Sequence, residues 1–458
     1  LGILLLALFA NLAFRALKTD HRKAFIWTGV WLGLAALVRG NVLALAAFLL
    51  ILILRRRGSA PLRNAATFVG AIGLVILPIT IHNAVTSGDF VLTSYAGGFN
   101  AYIGNGRLAT GRSYVFPPEI TSNPALEEFD ITHAAVKDSH RALSPAEVSA
   151  YWWHKTSAYV VAHPAHELEV LLNKLEAFWS NDEPYDNYDM DFIERHFATI
   201  LSWPLSGFGL LAGLSVLALV AMPREQRGAG TFFVGMLLLY MLTLLPFYVT
   251  DRYRLSAVVF LLPLAGAALP SVLARWKERR ADLLIIGAAA MTATVALTSW
   301  PAGRSAADEA FAWSTLCTLY EDEGMPLASI LALNQALALS PHTVGADAWI
   351  KAADATDHLG RHAEAEQTLQ KIASTYPGDG TIPYNLGRMK FEDGDLAAAL
   401  SYFQKAIDLT PTFTLSYRGV AAVYSRYGER AQALEAVRKG LAIVPTDEKL
   451  LEILPQLQ

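Results

Sequence analysis

The chain contains a single cysteine, Cys317, so no disulfide can form within it. Charge is scarce as well, at 17% of 458 residues. G-x-S-x-G, H-E-x-x-H and Walker patterns are absent, which removes the serine-hydrolase, zincin and P-loop readings. His133, His140, His154, His163 and His166 show no zinc-site spacing, and no metal site is assigned. An initiator Met and a basic leader are also missing, so the opening does not read as a signal peptide. Residues 1–14 read instead as the second half of a helix. The chain is therefore expected to be the C-terminal portion of a longer protein.

What is present is apolar, at 53%, and it falls in blocks rather than stripes. Long blocks lie at 65–81, 201–222, 231–250, 255–274 and 282–300, with a shorter pair at 24–38 and 42–54. Runs of about 17 to 25 apolar residues suffice to cross a hydrocarbon core of roughly 30 Å. Four basic connections separate them: Arg15 to Lys23, Arg55 to Arg63, Arg224 with Arg227, and Arg275 to Arg280. Positive residues favour the cytoplasmic side. Placing all four inside puts 39–41, 85–200, Asp251–Arg254 and everything after 301 outside, and every segment then alternates without conflict.

Beyond 301 a repeat takes over. Pro341, Pro377, Pro411 and Pro445 are spaced by 36, 34 and 34, and Gly324, Gly360, Gly394 and Gly428 each stand 17 residues before their Pro. Leu386-Gly387, Ala399, Phe403, Ala406 and Pro411 complete the pattern in the third unit, with Trp313, Trp349 and Tyr417 at the large N-terminal position of the others. This layout resembles the tetratricopeptide repeat: helix, Gly turn, helix, Pro. The first unit departs, with Cys317 where Gly is usual and Ser329 where Ala is usual. Cys317 is expected to be a small core residue, and 446–458 a closing helix. From residue 305 onward there are 20 acidic and 12 basic side chains, against 21 and 25 before it. An acidic domain on a basic body argues against nucleic acid. The resemblance implies a protein or peptide partner.

Three stretches carry candidate chemistry. The run Gly33-Leu-Ala-Ala-Leu-Val-Arg39-Gly40-Asn41 joins two apolar segments of 15 and 13 residues, each roughly 20 Å long and short of the core thickness. Arg39 then lies below the outer surface, where an ionisable group faces protein or a wet cavity unless it snorkels to lipid phosphates. Asp251-Arg252-Tyr253-Arg254-Leu255 sets two guanidiniums around a tyrosine, a planar-fork donor set that suits phosphate. A helix leaving the membrane at His82-Asn83 runs through Asp89-Phe90-Val91-Leu92 into Gly97-Gly98-Phe99-Asn100-Ala101-Tyr102-Ile103-Gly104-Asn105. Glycines at that density read as a turn that brings backbone N–H groups close to a ligand, or as an ordinary surface loop.

Together these stretches resemble bacterial GT-C membrane glycosyltransferases, the family 39-like enzymes. The second departs from the family's Arg-Tyr-Arg-Leu-Pro in having Ser256 for Pro. The resemblance implies inverting transfer of a sugar from a polyprenyl-phosphate donor to an acceptor, on the extracytoplasmic face of the bacterial inner membrane. It assigns Arg39, Arg252, Arg254 and Tyr253 to the donor phosphate. Gly97, Gly98, Asn100, Tyr102 and Asn105 would form a substrate loop. The family's usual catalytic carboxylate follows a first membrane helix that this chain does not include.

The outside segment 85–200 is too long for a simple connection. Helices are expected at 146–162 and 165–180, broken at His163-Pro164. Their aromatics (Tyr151, Trp152, Trp153, Tyr159, Phe178, Trp179) suit either the membrane interface or core packing. Asp182, Glu183, Asp186, Asp189 and Asp191 follow; Glu183 is the candidate general base, and a divalent metal is a further use of such a cluster.

The expected architecture is all-α: a polytopic transmembrane bundle (1–84 and 201–300) around an extracytoplasmic loop (85–200), then a tetratricopeptide solenoid (305–458). An O-antigen ligase or polymerase-like oligosaccharide transferase is the nearest rival. Its Arg/His-rich outside loop contrasts with 16 acidic against 7 basic residues here. A non-enzymatic membrane-anchored repeat scaffold is the rival from another class. The topology has a direct test. Alkaline phosphatase fused after Gln458 is expected to be active; silence there, with cytoplasmic fluorescence of the matching fusion, overturns the orientation.

Overall fold

Apolar blocks with few polar side chains must satisfy their backbone groups internally, and helices do so segment by segment. The structure is a computed structural model and describes residues 1–56, 60–112, 127–182, 189–197, 207–300, 306–445 and 447–457. Every regular element among them is helical. The chain divides into two units, Leu1–Val115 with Ala135–Gly303, and Phe116–Ala134 with Arg304–Gln458.

The helices of the first part are α1 (Gly2–Thr19), α2 (Arg22–Val38), α3 (Ala44–Arg55), α4 (Pro61–Ser87), α5 (Gly97–Asn105), α6 (Glu127–Ser139), α7 (Pro145–Ala162) and α8 (Pro164–Trp179). After them come α9 (Met190–His196), α10 (Phe208–Ala221), α11 (Arg227–Leu244), α12 (Asp251–Arg254), α13 (Val258–Gly266), α14 (Ala268–Lys277) and α15 (Ala281–Thr298). Among the described residues five stretches are long and apolar enough to cross a membrane: Gly2–Thr19, Pro61–Ser87, Arg224–Leu244, Asp251–Lys277 and Ala281–Thr298. The block expected at 201–222 is described from Gly207 onward, with helix from Phe208.

Three boundaries differ from expectation. The apolar helix expected over 65–81 is longer; α4 spans Pro61–Ser87 and stops where Gly88 takes φ 73°. Only a left-handed residue there returns the chain, and glycine is free to be one. α11 ends at Leu244, before Pro246, rather than at 250. Asp251–Arg254 is not a linking turn but the first turn of the next helical run, with Thr250 at its N-cap position.

Helix pairs close up where side chains are smallest. A Cβ on Gly29 of α2 would sit 2.4 Å from the carbonyl oxygen of Phe68 in α4, and one on Gly33 would sit 2.9 Å from Val75 Cβ. Around this seam Phe9, Phe25, Leu32, Leu45, Phe68, Tyr240 and Phe260 are buried. In such a bundle their contribution is close van der Waals packing between helices rather than transfer from water.

The second part holds α16 (Ala306–Asp322), α17 (Pro326–Leu339), α18 (Ala346–His358), α19 (His362–Thr375), α20 (Thr381–Glu392), α21 (Leu396–Leu409), α22 (Thr414–Tyr427), α23 (Arg430–Ile443) and α24 (Glu448–Leu457). They pair in sequence order, with Gly324, Gly360, Gly394 and Gly428 at φ 70°, 78°, 83° and 77° in the turns. Gly387 and Gly419 serve another purpose, since an added Cβ on either would meet the Phe403 ring at 2.8 and 2.7 Å. The two departures in the first repeat explain each other. Cys317 is buried, its Sγ lies 3.3 Å from Ser329 Oγ, and Ser329 donates to the Cys317 carbonyl at 2.9 Å. Burial pushes the thiol up to about 11, which keeps it an inert core group. α24 closes the array by burying Leu450 against Gly440.

One titrating contact joins neighbouring repeats. His362, at the start of α19, has Nδ1 2.7 Å from Asp357 Oδ1 and Nε2 3.0 Å from Asp393 Oδ1. Lys390 Nζ, 2.8 Å from Glu366 and 3.5 Å from Asp393, completes the charged group. Only the imidazolium has N–H groups on both sides, so the Asp357 and Asp393 carboxylates raise the His362 pKa above 6.5 against the opposing effect of burial. The added stability is fully present below pH 6.5 and lost as pH rises through the raised value. Hydrogen exchange in the 389–396 turn, corrected for intrinsic rates, is expected to quicken over that window in the wild type and to lose the dependence in His362→Gln. A dependence unchanged in the variant places the titration elsewhere.

Candidate functional site

A helix ending in an apolar bundle leaves carbonyl and N–H groups that need partners. The break between α2 and α3 supplies its own answer. Arg39 leaves the helix at φ −146°, and Gly40–Leu43 forms one 3-10 turn before α3. Asn41 Nδ2 donates to Thr243 Oγ1 of α11 at 3.0 Å, and Arg39 Nη1 donates to Ser256 Oγ at 3.2 Å. Ser256, which stands where the resemblance leads one to expect a Pro, is buried. Its hydroxyl supplies an acceptor that a proline lacks.

These anchors gather three of the expected residues. The Arg39 guanidinium carbon lies 4.7 Å from the Tyr253 ring centroid and that of Arg252 lies 5.3 Å from the same ring. The two guanidiniums are therefore within the sum of those distances of each other. Tyr253 is held from behind, because Tyr240 donates its hydroxyl to the Tyr253 carbonyl at 2.7 Å. Tyr248 stands edge-on to the ring at 5.6 Å. Arg39 is half-buried and has no carboxylate partner among the described residues, while Arg252 is exposed. The cluster places two guanidiniums beside one aromatic face.

Arg254 does not join them, and its expected place in the phosphate set is corrected. It is buried, with Nη1 donating to the carbonyls of Ala177, Ser180 and Asp182 at 3.3, 2.5 and 3.1 Å and the guanidinium carbon 4.8 Å from the Phe208 ring centroid. Carbonyls at the C-terminal end of α8 carry the negative end of the helix dipole, and a cation placed there satisfies them.

The substrate turn is corrected too. Residues 97–105 form α5, and none of Gly97, Gly98 and Gly104 takes a positive φ. Their smallness is used for packing. A Cβ on Gly98 would stand 1.9 Å from the Ser149 carbonyl oxygen of α7, and one on Gly104 would stand 2.0 Å from that of Phe247. Gly98 N–H donates to Ser149 Oγ at 3.1 Å. Gly97 lies under Trp153, Asn100 is half-buried, and the Tyr102 ring lies 4.8 Å from that of Trp152 with Lys155 Nζ 5.3 Å away. Of the aromatic stripe, Trp152 and Phe178 are fully buried, so core packing accounts for them, whereas Trp153 is 42% exposed.

Asn105 leads to a residue that the sequence reading missed. Its Nδ2 donates to the Ala101 and Pro246 carbonyls at 2.9 and 2.8 Å, and its Oδ1 accepts from Lys174 Nζ at 2.5 Å. Lys174 Nζ also donates to the Leu245 carbonyl at 2.7 Å and is fully buried. The signal was available: Val170, Lys174, Ala177 and Phe178 form one buried stripe of α8, with a lysine in it. Lys174 and Arg254 together fasten α8 to the 245–254 segment that carries Tyr253.

Glu183 and Asp186 lie outside the described residues. Asp189 caps α9 by accepting from the Phe192 N–H at 2.9 Å. No group of three His, Cys, Asp or Glu suited to a metal occurs among the described residues.

Residues 384–413 match the family model described as tetratricopeptide repeat. No curated protein matches the chain. Solved structures similar to it include the MamA protein, at 21% identity over 33% of this chain and 81% of that one, with a TM-score of 0.28. The APC/C hetero-tetramer Cut9-Hcn1 aligns at 12% identity over 98% of this chain and 86% of that one, with a TM-score of 0.29. The P58(IPK) TPR domain aligns at 13% identity over 73% and 92%, with a TM-score of 0.23.

Burial pulls the Lys174 ammonium from 10.5 down to about 8, with Glu167 opposing. Below pH 8 the fold bears the cost of a buried charge. Between about 8 and 10.5 the unfolded chain binds the extra proton, so stability rises with pH. Thermal melting of the purified chain in detergent is expected to show this rise, and Lys174→Met to abolish it. The same slope in both proteins assigns the titration to another group.

Proposed function

We propose that this chain contains the donor-binding part of an integral-membrane glycosyltransferase that takes a sugar from a polyprenyl-phosphate carrier on the extracytoplasmic face of a bacterial inner membrane. The observation that carries the reading is the convergence of Arg39 and Arg252 on the Tyr253 ring from sequence positions more than two hundred residues apart. Arg39 uses one donor on Ser256, leaving most of its five N–H groups for phosphate oxygens. Arg39, being half-buried, acts with less screening than in water.

In this reading an acceptor hydroxyl attacks the anomeric carbon as the bond from that carbon to the phosphate oxygen breaks. The leaving group is the polyprenyl phosphate, which carries the departing electron pair. Arg39 and Arg252 stabilise the charge it gains. The hydroxyl proton passes to a carboxylate base, as the resemblance implies. No nucleotide enters, because the lipid phosphate is itself the activated carrier. The repeat array, in the same reading, holds a protein partner or the acceptor.

Arg39→Ala, in the full-length protein at matched expression, is expected to lower transfer and polyprenyl-phosphate retention by about 30-fold or more, the equivalent of about 2–5 kcal/mol for a desolvated charge pair, and the exposed Arg252→Ala to lower both by a smaller factor. The Lys variants, which keep charge and lose the fork, are expected to fall between. Wild-type transfer and retention in both Ala variants overturn the phosphate role.

A further inference from the structure

At the far end of α2 from Arg39, α1 and α3 end while α2 and α4 begin. Hydrogen bonds draw these four helix ends together. Arg56 Nη1 and Nη2 donate to the Ala16 and Lys18 carbonyls at 3.5 and 3.2 Å, which ties the end of α3 to that of α1. Arg22 Nε donates to Thr67 Oγ1 at 3.4 Å, and Thr67 donates in turn to the Arg63 carbonyl at 2.8 Å, which ties α2 to α4. Asp20, between Lys18 and Arg22 in the chain, accepts from Asn64 Nδ2 at 3.0 Å. The two connections, 15–23 and 55–63, carry eight Lys and Arg against that one acid. Lys18, Arg22, Lys23, Arg55 and Arg63 are exposed and have no carboxylate partner among the described residues. One helical turn deeper the same faces become apolar. Trp27, four residues after Lys23, is 55% exposed, and Ile51, four before Arg55, is 47% exposed.

We propose that this end of the bundle binds a diphosphatidyl phospholipid such as cardiolipin, whose two phosphates are joined through one glycerol. The cations fall in two groups, one for each phosphate. Lys18 and Arg55 stand at the tie between α1 and α3, Arg22 and Arg63 at the tie between α2 and α4. A single Asp cannot neutralise eight cations, so positive charge is left for a ligand that brings two negative charges. The backbone adds to the attraction, because α2 and α4 both start here and present the positive ends of their dipoles. Arg56 covers carbonyls that end α1 and so weakens the opposing negative end. Guanidiniums meet phosphate oxygens through their planar fork. Below the cations, Trp27 and Ile51 offer apolar surface to acyl chains, which a soluble diphosphate does not use. The charge pattern assigns this face to the cytoplasm, where basic clusters between spans meet anionic headgroups. The inference rests on reading α1 and α4 as membrane spans and is independent of sugar transfer.

The test uses the full chain in detergent, stripped of co-purified lipid, with bound lipid read by native mass spectrometry. Cardiolipin is titrated beside phosphatidylglycerol at equal total phosphate, with inorganic pyrophosphate as competitor. Because its two phosphates are linked, cardiolipin is expected to bind at least about tenfold more tightly than phosphatidylglycerol. Its binding is expected to weaken as salt rises. Lys18→Gln and Arg63→Gln, at exposed positions in different groups, are each expected to lower cardiolipin affinity by about fivefold. The double variant Arg224→Gln, Arg227→Gln removes more charge from another basic connection and is expected to bind as the wild type does. Helicity by circular dichroism identifies any variant that fails to fold. Equal binding of the two lipids, wild-type affinity in both single variants, or the same loss in the double variant overturns the proposal. Displacement by pyrophosphate at matched phosphate overturns it too, by assigning the cations to a soluble anion. Arg39→Ala is expected to bind cardiolipin as the wild type does, so the lipid site and the sugar-donor site fail or succeed separately.

Discussion

A helix that breaks inside an apolar bundle must have its exposed backbone and its polar side chains answered by protein. That constraint at Arg39-Gly40-Asn41 organises the candidate site. Asn41 finds Thr243 and Arg39 finds Ser256, which ties the break to α11 and to the turn before α13. Once those two partners are fixed, Tyr253 lies beside Arg39 and brings Arg252 with it. Arg254, on the same short helix, is turned the opposite way and closes the end of α8. Two arginines separated by one residue thus do different work, because two helical positions turn the side chain by about 200°.

The sequence made the repeat array readable because its markers are local. A Gly in each turn takes a left-handed φ, a Pro follows each second helix, and Ala399, Phe403 and Ala406 are buried as their spacing implied. The broken helix pair at 145–179 was readable for the same reason, since Pro164 marks the break. The array's departures were visible but not interpretable. Cys317 and Ser329 are twelve positions apart, and only their contact shows that one change accommodates the other.

α5 was misread through a rule applied in the wrong setting. Glycine at high density signals a turn when the chain is on its own, because glycine loses most on entering a helix. Gly98 and Gly104 are helical because Ser149 and Phe247 come so near that any side chain collides with their carbonyls. Such a contact is formed by residues fifty to a hundred and forty positions away and leaves no local trace. Lys174 was missed for a related reason: its partners, Asn105 and Leu245, lie about seventy residues to either side. Arg39 was found because the shortness of its flanking helices is itself a local feature.

The knot formed by Asn105, Lys174, Pro246 and Arg254 has a consequence for how this architecture can be varied. Segment 85–200 looks like an insertion that could be exchanged as a cassette. Two of its hydrogen-bond anchors, Asn105 and Lys174, reach carbonyls at Pro246 and Leu245, beyond its far boundary. A transplanted loop would bring a buried ammonium without the acceptors shaped for it, and the recipient would keep a buried guanidinium facing a foreign helix end. The natural unit of exchange is discontinuous: segment 85–200 together with at least 245–254. Diversification of the loop is then confined to positions outside this knot, and the edge that carries Arg252 and Tyr253 inherits its placement in part from a segment that packs against it.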